Sequence, residues 1–219
     1  IYHWAMARYA KLLAPLAIVN LGGVGNLTWV DPQQPPETGV LAFDTGPANA
    51  PLNDYMSLTF GLAYDEHGAL AASGRADSAI VARVLQDDYF LRATPKSLDR
   101  DDFSYILALV ADLNKADAAA TLTAIIVACL AAALEHMPAR PAQMWITGGG
   151  RKNRELMRLL QEALPLQVCD VDDIGFDGDM VEAQAFAYLA VRRARGLHTS
   201  FPSTTGVGLP LSGGRLSPA

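Results

Sequence analysis

The stretch Ala17-Ile18-Val19-Asn20-Leu21-Gly22-Gly23-Val24-Gly25-Asn26-Leu27-Thr28-Trp29-Val30-Asp31 decides how the chain is read. Ala17–Val19 is a short apolar run, Asn20–Gly25 a glycine-rich turn, and Asn26–Asp31 a run of β-branched and aromatic residues. That sequence of features predicts a β-hairpin. A dinucleotide-binding fingerprint would need a helix after the glycines, and a third glycine that is missing here. At a hairpin tip, Gly22 and Gly23 let the backbone turn tightly and aim successive N–H groups at an anion. Taken alone, the feature reads more readily as a plain hairpin turn.

Beyond the polar, proline-rich loop 32–39, Val40–Phe43 predicts a third strand that ends at Asp44. A turn at Thr45–Pro51 and a helix near Leu52–Leu62 come next. Asp77 is placed to cap a helix running to Leu85. Asp117–His136 predicts the longest helix. Its uncharged part, Ala118–Leu134, is rich in Ala and Thr rather than Leu and Phe, and its flanks Lys115, Asp117 and Glu135 are charged. A buried core helix is therefore preferred to a membrane span. Met144–Thr147 is a strand that runs into Gly148-Gly149-Gly150, with a helix carrying Leu156, Leu159, Leu160 and Leu164 behind it. A strand at Leu166–Cys169 and an amphipathic helix at Asp179–Arg195 follow, and the chain from His198 reads as loop. Hairpin, strand, helices, strand, helix, strand, helix is an α/β order with an antiparallel start. It suits an RNase-H-like lobe, a mixed sheet flanked by helices, which is the unit duplicated in actin-like ATPases.

The 219 residues are 51% hydrophobic and 18% charged, with a formal charge of −6. That profile fits a soluble globular unit and argues against nucleic acid or an anionic membrane as partner, since both need clustered cations. The dense group Arg192, Arg193 and Arg195 reads as a solvated last helical turn. Cys129 and Cys169 form no C-x-x-C pair, so neither a zinc site nor a disulfide framework is expected, and a reducing cytoplasm is the simplest compartment. The opening at Ile1, directly into Tyr2, His3 and Trp4, reads as a cut end.

Three features carry chemistry besides the hairpin tip. Asp44-Thr45-Gly46 matches the aspartic-protease tripeptide, but Pro47 follows it and the long Ala-rich helix does not belong in that β-rich fold. A carboxylate leaving a strand into a Gly/Pro/Asn turn is a candidate catalytic group; the alternative is an Asx-turn capping the next helix. Gly148–Gly150, between strand and helix, allow a flat ligand or phosphate to approach, with Arg151, Lys152 and Asn153 at the rim; a tight connection explains them equally well. Asp170, Asp172, Asp173, Asp177 and Asp179 fail the calcium-loop pattern at Ile174 and Val181 and read as a solvated loop. Glu182 lies in an otherwise apolar helix, so it must be paired, exposed or functional. The four histidines are dispersed and form no legible triad.

These features occur in the order of actin-like kinases: phosphate hairpin, acidic strand end, adenosine turn. The wording from Asn20 to Thr28, then Phe43-Asp44-Thr45-Gly46-Pro47-Ala48-Asn49, resembles the anhydro-N-acetylmuramic acid kinases. So do Pro95-Lys96-Ser97-Leu98, Asp117–Thr121, Gly148–Asn153, Glu182–Ala187 and Thr204-Thr205-Gly206-Val207. The resemblance implies an ATP- and Mg2+-dependent, cytoplasmic enzyme of peptidoglycan recycling. Such an enzyme opens the 1,6-anhydro ring of its sugar with water and phosphorylates O6, giving N-acetylmuramic acid 6-phosphate. It implies Asp44 as catalytic residue, Asn49 and Glu182 at the sugar, and Gly22, Gly23, Gly148, Gly149, Gly150 and Asn153 at the nucleotide. It also implies a homodimer at full length. Two positions depart from the family wording: Ala48 for a usual Gly, which would be strained at positive φ, and His198 for a common Pro. The family's first-lobe phosphate loop, G-T-S-x-D-G-x-D, is absent. Residues 1–219 are therefore expected to be the carboxyl-terminal part of a two-lobed kinase, inactive alone. The rival readings are another actin-like sugar kinase and a non-catalytic truncated lobe.

Overall fold

The computed structural model describes residues 1–217. Its centre is one five-stranded sheet in the order β3-β2-β1-β4-β5. Strands β1 (Leu16–Leu21), β2 (Val24–Val30) and β3 (Val40–Pro47) form an antiparallel meander; β4 (Gln143–Thr147) and β5 (Gln167–Asp170) add in parallel to β1. The antiparallel start and later crossovers are those expected of an α/β, RNase-H-like lobe. The helices are α1 (Tyr2–Tyr9), α2 (Asn49–Phe60), α3 (Ala69–Ala72), α4 (Ser78–Val84), α5 (Ile106–Leu109), α6 (Lys115–Ala133), α7 (Arg154–Ala163), α8 (Val181–Ala194) and α9 (Pro202–Thr205).

Side chains alternate across the strands. Val19, Leu21, Leu27, Phe43 and Ile146 face one side, where they pack on Ile126 and Leu130 of α6 and Leu156 and Leu160 of α7. Ile18, Val30, Trp145 and Cys169 face the other, against Met6 and Ala7 of α1 and Val181 of α8. The opposite flank of α6, with Ala118, Leu122, Ile125 and Cys129, closes a second core with α2 and the segment 71–110. Lys115–His136 is long and apolar enough to cross a membrane, yet α6 is the core helix between two apolar clusters. Its buried Thr121 and Thr123 hydroxyls donate to Asp117 O and Ala119 O, so neither is left unpaired. Asp77 caps α4, as expected, by accepting from Ala79 N and Ile80 N.

Several expectations are corrected. Strand β3 does not end at Asp44 but runs to Pro47, because Val24 and Gly25 of β2 keep pairing with Pro47 and Gly46. Helix α2 begins at Asn49 rather than Leu52; Pro51 stands in its first turn, where a missing N–H costs nothing. The opening residues form α1, which the short aromatic run concealed. The segment after His198 is not only loop: Phe201 is fully buried and α9 packs by β3. The basic group at the end of α8 is not merely solvated either, since Arg192 Nε donates to His198 O and Arg193 Nε to Gly214 O, which pins that segment.

Candidate active site

The strand registers place a polar row across the sheet. Thr147 pairs with Asn20, Asn20 with Asn26, and Asn26 with Asp44. The register shifts between Gly25 and Asn26, so Thr45 is the extra residue of a β-bulge, its buried hydroxyl donating to Gly25 O. Such bulges re-aim side chains. Asp44 is held on both carboxylate oxygens: Oδ1 accepts from Asn26 Nδ2 at 2.8 Å and Oδ2 from Leu98 N at 2.8 Å. Its backbone is fixed as well, with its N–H donating to Lys96 O and its carbonyl accepting from Tyr89 Oη at 2.6 Å. Buried beside the Asp44 charge, the Tyr89 phenol is pushed well above its usual range.

Asp44 does not cap α2. The first amides of that helix are taken by the hairpin tip: Asn49 N donates to Gly22 O, and Ala48 N and Ala50 N to Gly23 O. The Asx-turn reading of Asp44 therefore falls. The same bonds lock the peptides of Gly22 and Gly23 against the helix.

The glycines after β4 divide in role. Gly148 has φ +78°, and a Cβ there would collide with Asn20 Oδ1 and press on the Leu21 carbonyl. A Cβ on Gly150 would meet Leu21 Cβ at 2.5 Å, whereas one on Gly149 would meet nothing within 4 Å. Gly148 and Gly150 fit the turn to the sheet, and Gly149 fronts open space.

That space is two cavities with Gly149 on both. One, about 350 Å³, is lined by Asn49, Asn53, Tyr64, Glu66, His67, Gly149, Gly150, Lys152 and Asn153. The other, about 340 Å³, is lined by His3, Asn20, Asn26, Thr147, Gly148, Gly149, Asp179 and Glu182. Glu182 is exposed in the first turn of α8, where a carboxylate also suits the helix dipole. Asn49 and Glu182 are thus in different cavities, and the Asn49 amide is committed to Leu21 O at 2.7 Å. Asn153 Oδ1 accepts from Leu156 N and caps α7. Gly22 and Gly23 line neither cavity.

Arg151 is not at the rim, and the acidic run is not simply a solvated loop. The Arg151 side chain is 5% exposed, with Asp179 at 2.7 Å, Asp170 at 3.5 Å and Asp172 at 3.6 Å. Hydrogen bonds from Arg151 and Lys152 hold the Asp179 carboxyl down at about 2. The missed residue is His3, whose Nδ1 lies 2.8 Å from Thr28 Oγ1. Burial pushes its imidazole down to about 3, so it is neutral near pH 7. The unfolded chain takes up this proton near pH 6.5 and the folded chain only near 3. His3 should therefore make stability fall as pH drops through that window. Denaturant melts between pH 7 and 4 should show that slope, and His3→Gln should flatten it; an unchanged slope would assign the acid sensitivity to other groups.

A model of the family described as anhydro-N-acetylmuramic acid kinase matches residues 3–219. The chain belongs to this family. Anhydro-N-acetylmuramic acid kinases of Roseobacter denitrificans and Cereibacter sphaeroides are 55% and 56% identical to it, each over 99% of this chain but only 58% and 59% of their own length. The chain thus spans somewhat more than half the length of these relatives. The activator of 2-hydroxyisocaproyl-CoA dehydratase from Clostridium difficile, solved with bound ADPNP, shares the fold: TM-score 0.52 at 13% identity, over 91% of this chain and 70% of that one. Ala48 was expected to be strained if its φ were positive. Its φ is −123°, so that positive-φ strain does not arise.

Proposed function

We propose that this chain is the carboxyl-terminal part of an ATP-dependent anhydro-N-acetylmuramic acid kinase and carries its water-activating carboxylate. The observation that bears most weight is the in-register row ending at Asp44, which meets the Glu182 cavity through Asn26. Asp44, with two donors already fixing its carboxylate plane, keeps lone pairs free to accept a proton from water. The water oxygen bonds to the anomeric carbon, the bond from that carbon to O6 breaks, and O6 takes up one proton for the one that Asp44 has accepted from the water. Glu182, on the cavity that Asn26 links to Asp44, is assigned to orient the sugar. Positioning of this kind is the main requirement of attack at an anomeric centre.

The freed O6 then bonds to the γ-phosphorus of ATP and gives up its proton, as the bond to the bridging oxygen breaks and ADP leaves. The cavity of Asn49 and Lys152 is assigned to the nucleotide, supported by one glycine open above its Cα, two neighbours fixed, and Lys152 on the wall. Gly22 and Gly23 line neither cavity, and their place on the phosphate side is supported only by the free N–H groups of a glycine hairpin tip. Among the described residues no three His, Cys, Asp or Glu side chains gather as a cation cage. In this reading Mg2+, when bound, would balance the charge of the phosphates. The rest of the reading is a cytoplasmic, homodimeric enzyme of peptidoglycan recycling whose other lobe supplies a second phosphate loop. The 219-residue chain alone should then show no sugar-dependent ADP release.

Two measurements test this. With the chain extended to its relatives' length, product analysis over a panel of sugars should find phosphorylation of the 1,6-anhydro sugar above the others; a different preferred acceptor would favour another sugar kinase. Gly149→Val should weaken ATP binding by about tenfold or more, since it blocks close backbone approach. It should leave the melting temperature and sugar affinity near normal. Unchanged nucleotide affinity in calorimetry would make the turn a mere connection.

A further inference from the structure

Arg151 ties the two cavities together. It leaves the glycine turn, and its guanidinium enters the loop that leads into α8. It meets Asp170 at the end of β5 and Asp172 and Asp179 beyond it, and its Nη1 also donates to Gly148 O at 3.2 Å. A Cβ on Gly178 would collide with Arg151 Nε, so the loop backbone lies directly on the guanidinium. Thr147 Oγ1 and Gly148 N both donate to Gly178 O, at 3.0 and 3.4 Å, while Asp172 Oδ1 accepts from Gly178 N at 2.8 Å. Of the fourteen residues of α8 only Val181 is buried. Its first turn, with Glu182 three residues past Asp179, is therefore held by this clamp and by little apolar packing. A buried cation among carboxylates adds little net stability compared with apolar packing, but it fixes geometry, because the buried Arg151 guanidinium is costly to leave unpaired.

We infer that Arg151 is a positioning residue that sets the place of Glu182 relative to the glycine turn, so that the sugar cavity depends on a residue of the nucleotide turn. This rests on the function proposed above. A displacement of about 1 Å in such a constellation costs on the order of 10²-fold in rate. Arg151→Lys should not restore the wild type, since a point charge cannot span three carboxylates as a planar fork does.

The test uses the extended protein with Arg151→Gln, Asp179→Asn and the double variant. Asp179→Asn keeps the side-chain shape and decides the matter if Arg151→Gln does not fold. Expected are a fall of about 10–100-fold in kcat/KM for the sugar, an ATP KM within about threefold, and a double variant no worse than the poorer single one. Amide exchange at residues 178–182 should quicken at least about tenfold in Asp179→Asn of the 219-residue chain. Were Asp179 only a direct sugar ligand, the two losses would add and exchange would not change; that overturns the inference. Variants that merely melt earlier, with sugar kcat/KM intact, overturn it too. If the wild-type protein turns over no anhydro sugar, the proposed function fails, and the exchange result alone then decides whether Arg151 positions this segment.

Discussion

Asp44→Asn in the extended protein is expected to lower turnover by roughly 10²–10⁴-fold while leaving ATP affinity within a few-fold. The substitution is nearly isosteric, and the site can absorb it. Leu98 N is a backbone donor and cannot turn, so the new amide must point its oxygen there. Its NH2 then faces Asn26, whose own amide flips to present oxygen instead of nitrogen. Both contacts survive, and stability should change by no more than about 1 kcal/mol. What is lost is the ability to take a proton from water. Stopped ADP release with a normal melting curve and normal nucleotide binding is the expected pattern. Turnover above a tenth of wild type would remove Asp44 from the role of base.

Gly148→Val should have the largest effect on the fold of any single change at the site. At φ +78° a β-branched residue is strained, and its Cβ would overlap the Asn20 side chain and crowd Leu21. Backbone strain and overpacking together cost about 3 kcal/mol or more. For a chain of this length that lowers Tm by roughly 6–12 °C. Both cavities share this turn, so sugar and nucleotide binding should fall together. The contrast with Gly149→Val, one residue away and facing open space, makes the prediction sharp. Thermal melts of the two variants should differ by several degrees; equal melts would mean that the turn is not wedged against Asn20.

Local signals made much of this legible. The Gly-Gly tip, the β-branched run after it and the Gly148–Gly150 connection give the sheet, and the family wording makes Asp44 the candidate base. What stayed hidden depends on register and distance. Asn20 reads as a turn residue, because the glycines after it mask the end of the first strand, and Asn26 reads only as the start of the second; only pairing shows that Thr147, Asn20, Asn26 and Asp44 share a row. The end of β3 was misplaced because Gly46 and Pro47 look like punctuation, yet Gly46, at φ +141°, fits closely over Cys129 and Phe90. Arg151 and its three carboxylates lie 19 to 28 residues apart in sequence, a separation over which charge patterns carry no register. His3 gave no signal, since one histidine in an aromatic run has no period to place it.

The most direct test of the central claim is to weigh the product. The chain, extended to its relatives' length, would be incubated with 1,6-anhydro-N-acetylmuramic acid, ATP and Mg2+, with ADP counted alongside. Asp44 as water-activating base and O6 as acceptor predict a product heavier than the sugar by one water and one phosphoryl group, with one ADP released per sugar consumed. A phosphorylated product that keeps the anhydro ring, or ADP release that does not depend on the sugar, would contradict the account.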